Sequence, residues 1–354
     1  MCSRVARERE SQQGLLNRPP SPRLRLTLAL SGALLSGLKA FLWIAHDPKP
    51  RDFDQIWYAA HALLAGRNPY AEIGPGLSFD WPAPLYYPLP AVLAVVPLTP
   101  LPHAIAGVLF AAIASGAFVW AATRESIAPA VVITSASAAL AAETVQWSPL
   151  LGAAFGLPWL AFLLCAKPTV GFAIWAGRPT KLATSLILGF LIASLLVSPG
   201  WPAAWIAALR HTSLASPGGT PYLSPIRTLP GLLAASLLLR WRRPEARLVL
   251  ALACVPQTPL LYETVPLFLV PATIAEGGVL WAGSWLAALW VARGGPYGSD
   301  LARFTTSANA IALCLYLPCV VMVLRRPNTG ELPARVEKWL HGSRLPVWAR
   351  GGAT

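Results

Sequence analysis

Three long apolar runs limit what this chain can fold into. Residues 24–45, 104–122 and 304–324 carry only two charges among them, Arg25 and Lys39. Each is about the ~20 residues that a helix needs to cross the hydrocarbon of a bilayer. A backbone in lipid must satisfy its polar groups internally, so such runs are helices. Shorter apolar stretches lie near 88–101, 128–142, 182–198, 226–240, 246–258, 262–275 and 279–292. Composition agrees: 55% of residues are hydrophobic and 12% charged, against roughly a quarter charged in soluble proteins. The expected fold is an all-α polytopic membrane protein.

The net charge of +13 would point to nucleic acid in a soluble chain. Here the cations cluster between apolar runs. They sit at Arg4, Arg7, Arg9, Arg18, Arg23 and Arg25, at Arg124, at Arg178 and Lys181, at Arg240 to Arg247, and from Arg325 onward. With the N-terminus in the cytoplasm and about ten spans, residues 147–177 crossing once overall, all of these clusters fall inside. The reading is a cytoplasmic tail over 1–23, a transmembrane domain over 24–324 and a second cytoplasmic tail over 325–354. Residues 46–87 then form the first external loop. The run at 24–45 resembles a signal peptide in its basic flank, but its length and Lys39 mark a retained helix. Cys2, Cys165, Cys254, Cys314 and Cys319 form no CxxC pair, so neither a disulfide framework nor a zinc site is expected.

Two regions carry the chemistry. Pro149, Pro158 and Pro168 cut 147–177 into short pieces around Lys167. Broken helices are tolerated in a membrane only where protein or a wet cavity satisfies the backbone, so this region reads as a cavity wall. Lys167 is either a snorkelling side chain or, as buried ionisable groups in membranes tend to be, functional. The second region is the loop. From Asp52, DFDQIWYAAHALLAG places Phe53, Ile56, Trp57, Ala60, Leu63 and Leu64 on one helical face. It predicts a short amphipathic helix lying on the outer membrane surface, stopped at Gly66. Asp52 fits the N-cap of a capping box closed by Gln55, and equally a general base; Asp54 points elsewhere or is solvated. Beyond it, Phe79-Asp80-Trp81-Pro82 to Pro90 is an aromatic, proline-broken segment. It suits a sugar ring, a lipid edge or an interfacial belt.

Asp52-Phe53, the Trp57-Tyr-Ala-Ala run, Leu-Leu-Ala-Gly66-Arg-Asn-Pro69-Tyr70 and Tyr87-Pro88-Leu-Pro closely resemble glycosyltransferase family 87, over about 52–102. The later likeness is weaker. Gln146 matches the family's Gly-Gln without its Gly, Lys167-Pro168 matches a Lys-Pro, and Thr258-Pro259-Leu-Leu-Tyr262-Glu263 replaces a Ser-Pro motif with Trp and His or Asp. The resemblance implies a GT-C-like bundle in a cell membrane, with its active site on the non-cytoplasmic side. It implies inverting transfer of a hexose, mannose first among the options, from a polyprenyl-phosphate donor to a glycolipid or envelope glycan. Asp52 would be the base, with Asp54 as the other candidate. Lys167, Arg210 and His211 would face the donor phosphate, although Arg210-His211 also reads as a solvated loop. Trp57, Tyr70, Tyr87, Gln146 and Glu263 would contact sugar or acceptor. No cofactor is called for, and a divalent metal stays open; nucleic acid is not an expected partner. A multi-pass transporter or flippase of lipid-linked sugars, or a non-catalytic component of envelope assembly, are the competing readings.

Overall fold

In a computed structural model of the chain, the described residues are 19–47, 49–215, 223–294 and 300–330, with the side chains of 211–215 and 300 excepted. The expected tails therefore lie mostly outside them. The described chain is predominantly helical. Among the described residues four helices are long and apolar enough to cross a membrane: Pro22–His46, His103–Ala122, Ile274–Arg293 and Leu301–Leu324. A fifth span results if Lys181–Val197 and Trp201–Arg210, bent by 93°, are taken as one. Other expected spans are built from shorter pieces. Residues 128–143 are a 3-10 segment, Ala128–Thr134, followed by the helix Ala136–Glu143. The region near 226–240 is the short helix Leu229–Leu232 with the 3-10 segment Leu233–Arg240. The one near 262–275 is a 3-10 segment, Leu261–Leu269, with Pro266 inside it. Pro129 with Val131, Val132 and Ile133, and Pro266 with Thr264 and Val265, weaken the α-helical ladder in the first and third of these; the sequence of Leu233–Arg240 holds neither kind of residue.

The first two long helices form the spine. Pro22–His46 lies antiparallel to His103–Ala122, and small residues set the approach. Gly32 faces Val119, Gly37 faces Ala112 and Gly116 faces Ala33. Without a hydrophobic drive between helices in lipid, such close backbone packing supplies the attraction. The seam is locked at one end by Arg25, whose guanidinium donates to the Trp120 carbonyl at 2.7 Å and lies 4.2 Å over the Trp120 ring.

The two ends of the bundle differ in chemistry. One gathers arginines: Arg178 pairs with Glu125 at 3.7 Å, Arg240 donates to the Arg326 and Leu324 carbonyls, and Arg326 pairs with Glu276 at 2.6 Å. Arg247 binds four backbone carbonyls, those of Ala176, Gly177, Trp241 and Arg242. The other end carries the 46–87 loop, the helix Asp52–Leu64 and the helix Trp201–Ala215. Trp205 ties that helix to the loop by donating to the Tyr86 carbonyl at 2.8 Å.

The loop helix packs differently from the expectation. Phe53, Ile56, Ala59 and Ala60 are fully buried against protein, with Phe53 meeting Phe110 at 5.1 Å. Its apolar face is thus spent on the bundle rather than on lipid. Only Tyr58 and Leu64 among its large apolar side chains are exposed.

Candidate functional site

The start of the loop helix sets its two aspartates apart. Arg51, not Asp52, is the N-cap. Asp54 at the third helical position reaches back to accept from the Arg51 N–H at 2.8 Å. That is the carboxylate half of a capping box, so Asp54 is the residue occupied in capping. Asp52, at the first helical position, is released from that duty and turns toward the bundle.

There it meets Gln146, whose side-chain amide donates to Asp52 Oδ2. No hydrogen-bond donor reaches Asp52 Oδ1 among the described residues. Gln146 is 1% exposed, and its own carbonyl oxygen is buried without a partner. Its position depends on an unusual backbone. The helix Ala136–Glu143 ends with Gln146 N–H bonded to the Ala141 carbonyl and Val145 N–H to that of Ala142. This is a Schellman ending, which wants a residue with left-handed backbone at the turn. Val145 fills it at φ 51, a conformation costly for a β-branched residue. The Gly-Gln that the resembled family carries at this point would make the same turn without strain.

Lys167 enters the same place from the broken region. Leading up to it is the 3-10 segment Pro158–Ala166, and the helix Pro168–Gly177 leads away. Pro168 starts that helix at a position where its missing N–H costs nothing. The turn is tight enough that a Cβ on Gly171 would lie 1.8 Å from the Leu164 carbonyl oxygen. Lys167 Nζ is 2.5 Å from Glu263 Oε1 and 5.2 Å from the Tyr262 ring centre. Glu263, 2% exposed, accepts a second bond from Ser148 Oγ at 3.1 Å. Lys167 and Glu263 both act electrostatically on Asp52. Four stretches of the chain thus bring Asp52, Gln146, Ser148, Lys167, Tyr262 and Glu263 together.

Burial raises the Asp52 pKa above its ordinary value of 3.8, and the Lys167 charge and the Gln146 hydrogen bond pull back against it. The Asp54 carboxyl is also raised by burial, opposed by its bond from Arg51.

The remaining candidates are scattered around this cluster. Tyr87 is close enough to bear on Tyr262 electrostatically, and Tyr70 donates to the Tyr87 carbonyl at 3.2 Å. Trp57 lies further along its helix, its ring tilted against that of His61 with centroids 3.8 Å apart. Arg210 is exposed on the helix Trp201–Ala215 and is not among the charges that bear on Asp52. The side chain of His211 lies outside the described residues. Ser148 is the participant that the sequence reading omitted; its signal was a hydroxyl two residues after Gln146 in an otherwise apolar stretch. A stacked row of Tyr58, Phe79 and Trp81, with centroid spacings of 4.3 and 6.0 Å, flanks the loop. No group of three or more His, Cys, Asp or Glu suited to a metal occurs among the described residues.

Tyr262 also borders a groove of about 880 Å³ that runs between the Ala136–Glu143 helix and the Ile274–Arg293 helix. Its wall is mostly apolar, from Leu140, Trp285, Ala288 and Val291, with Lys39 and Glu143 paired at 3.8 Å on one side. Comparison with protein-family models, with curated proteins and with solved structures finds no match for this chain. The likeness to glycosyltransferase family 87 therefore stands on the motif residues alone.

Proposed function

We propose that the chain is a membrane glycosyltransferase that moves a hexose, mannose by resemblance, from a polyprenyl-phosphate donor to a hydroxyl of a glycolipid or envelope glycan. The observation that carries this reading is Asp52. One of its oxygens is held by Gln146, the other is open, and burial raises its basicity. A general base needs that combination: a fixed orientation, a free lone pair and a pKa moved toward the working pH. In the proposed reaction Asp52 takes the proton of the acceptor hydroxyl as its oxygen attacks the anomeric carbon. The bond to the phosphate oxygen breaks on the opposite face, and the phosphate leaves as an anion, giving inversion. Lys167 is the cation that offsets the charge growing on that phosphate. Before the donor arrives Glu263 holds the ammonium in place. The groove beside Tyr262 has the size and apolar wall for part of the isoprenoid chain.

The orientation follows the positive-inside rule: the arginine end faces the cytoplasm and the Asp52 end faces out. The test is transfer from labelled polyprenyl-phosphate hexose in membranes containing the chain. Product formation that Asp52→Asn abolishes supports the reading. Donor moved across sealed vesicles without any product would favour a flippase. Absence of both activities would favour a non-catalytic component.

A further inference from the structure

The arginine end holds a second large cavity, about 1100 Å³, far along the bundle from Asp52. Five cations line it, Arg124, Arg178, Lys181, Arg243 and Arg247, against two carboxylates, Glu125 and Glu245. A basic end is what membrane topology alone would produce. The arrangement goes further than that. Arg247 is used up as a brace on four backbone carbonyls, and Arg178 and Arg243 are each paired with a carboxylate. Arg124 and Lys181, both exposed, make no hydrogen bond or ion pair among the described residues. The Nε of Arg243 is buried with no acceptor.

The backbone adds to this field. The helix Lys181–Val197 begins at the cavity with Thr180 capping the Ala183 N–H, and Pro244–Cys254 also begins there with no side-chain cap on its first N–H groups. Helix N-termini attract anions through their free N–H groups and their dipole. Beside the cavity the surface is apolar and uncovered: Trp159, Phe172 and Leu182 are all more than half exposed. Trp159 and Leu182 adjoin the lining residues Pro158 and Lys181, and Phe172 meets the lining Trp175 at 6.0 Å.

We infer that this cavity binds the phosphate headgroup of an anionic membrane lipid, with its acyl chains lying along Trp159, Phe172 and Leu182. Basic pockets between helices at a membrane face are suited to such headgroups. The combination of unpaired cations, an uncapped helix N-terminus and an adjoining greasy flank fits a lipid better than a soluble anion, which has no use for the flank. The inference does not depend on the glycosyltransferase reading.

The full-length chain, purified in detergent, is titrated with a short-chain phosphatidylglycerol while bound lipid is counted by native mass spectrometry. Phosphatidylcholine of the same chain length, glycerol phosphate and inorganic phosphate are run in parallel. One phosphatidylglycerol is expected to be retained in a saturable manner, with much weaker retention of the other three. The Arg124→Gln/Lys181→Gln variant removes two cations that brace nothing. It should weaken phosphatidylglycerol binding about 30-fold, the change expected when each charge near the headgroup contributes about a factor of five. Circular dichroism of the variant should be unchanged. Equal binding by the variant and the parent overturns the inference. Equal retention of phosphatidylcholine overturns it too. Saturation by glycerol phosphate or inorganic phosphate at the same concentration rejects the lipid as the source of the phosphate.

Discussion

Glu263→Gln is the most telling single change. It keeps the shape of the side chain but turns one of its two acceptor oxygens into a donor nitrogen and removes the charge that holds Lys167. Breaking a buried ion pair from one side typically costs ~3–5 kcal/mol, because the other charge is left uncompensated. The lower end applies here for two reasons. The Lys167 side chain keeps 18% exposure, and the Asp52 carboxylate is near enough to feel its charge. A loss of about 3 kcal/mol is expected, which at ~2 °C per kcal/mol for a long chain lowers Tm by ~6 °C. Adding Lys167→Met removes the orphaned ammonium, and the double variant should recover at least half of the loss. Tryptophan fluorescence on heating in detergent gives the readout, with all four proteins compared at one scan rate. A second readout follows the freed lysine. Glu263 raises the Asp52 pKa and Lys167 lowers it, so in Glu263→Gln the acid limb of transfer activity should move to lower pH. Additive losses in the double variant, or a single-variant shift below ~1 °C, would refute the coupling on which the site is built.

Asp52→Asn should reduce transfer by ~10²–10⁴-fold while leaving folding intact, whereas Asp54→Asn, which preserves the cap, should reduce it far less; the comparison is made on initial rates. Because the folded Asp52 pKa is raised, the base is lost as pH falls through a value above 3.8, and Gln146→Leu, which removes a pKa-lowering bond, should move that limb to still higher pH in a kcat/KM profile. The same shift makes ionised Asp52 a cost to the fold: its contribution to stability is complete below 3.8 and is lost as pH rises through the folded pKa. Val145→Gly trades relief of left-handed strain against the loss of a buried side chain, so it should be less destabilising than Val145→Ala in the same thermal assay, reversing the usual order. With the orientation proposed, a cysteine at Ser78 should react with an impermeant thiol reagent in intact cells and one at Glu125 should not, each compared with the unaltered chain.

Legibility differed between levels. Long charge-free runs such as 104–122 read directly as helices because lipid leaves the backbone no other choice. Runs interrupted by proline were apolar enough to read as spans, yet the local geometry of 261–269, with Pro266 inside it, depends on neighbours that supply packing. Asp52 and Lys167 stood out as ionisable groups beside apolar sequence. Their meeting with Glu263, 96 residues on from Lys167, is tertiary and has no local signal. The cap was misplaced by one residue, since Asp52 and Asp54 both suit an N-terminal turn and only the packing of Phe53 and Ile56 fixes the phase. Arg210 and His211 read as candidates because the topology puts them on the same side as the loop; Arg210 lies exposed on its helix, and the side chain of His211 lies outside the described residues.

The passage of the chain through Pro149, Pro158 and Pro168 bears on the order of assembly. No piece between Ser148 and Gly177 has more than ten residues, about 15 Å even as an α-helix. None spans a bilayer alone, and the fold at Lys167 presents a cation at its tip. In open lipid that charge would cost several kcal/mol. The segment therefore has no stable place in the membrane until the Pro22–His46 and His103–Ala122 pair offers a protein wall and Glu263 arrives to meet the lysine. Glu263 is made well after Lys167, so the wall around Lys167 waits on the C-terminal half of the chain. A truncated product lacking residues beyond 260 should remain a target for proteolysis at this segment, while its first helical pair is already protected.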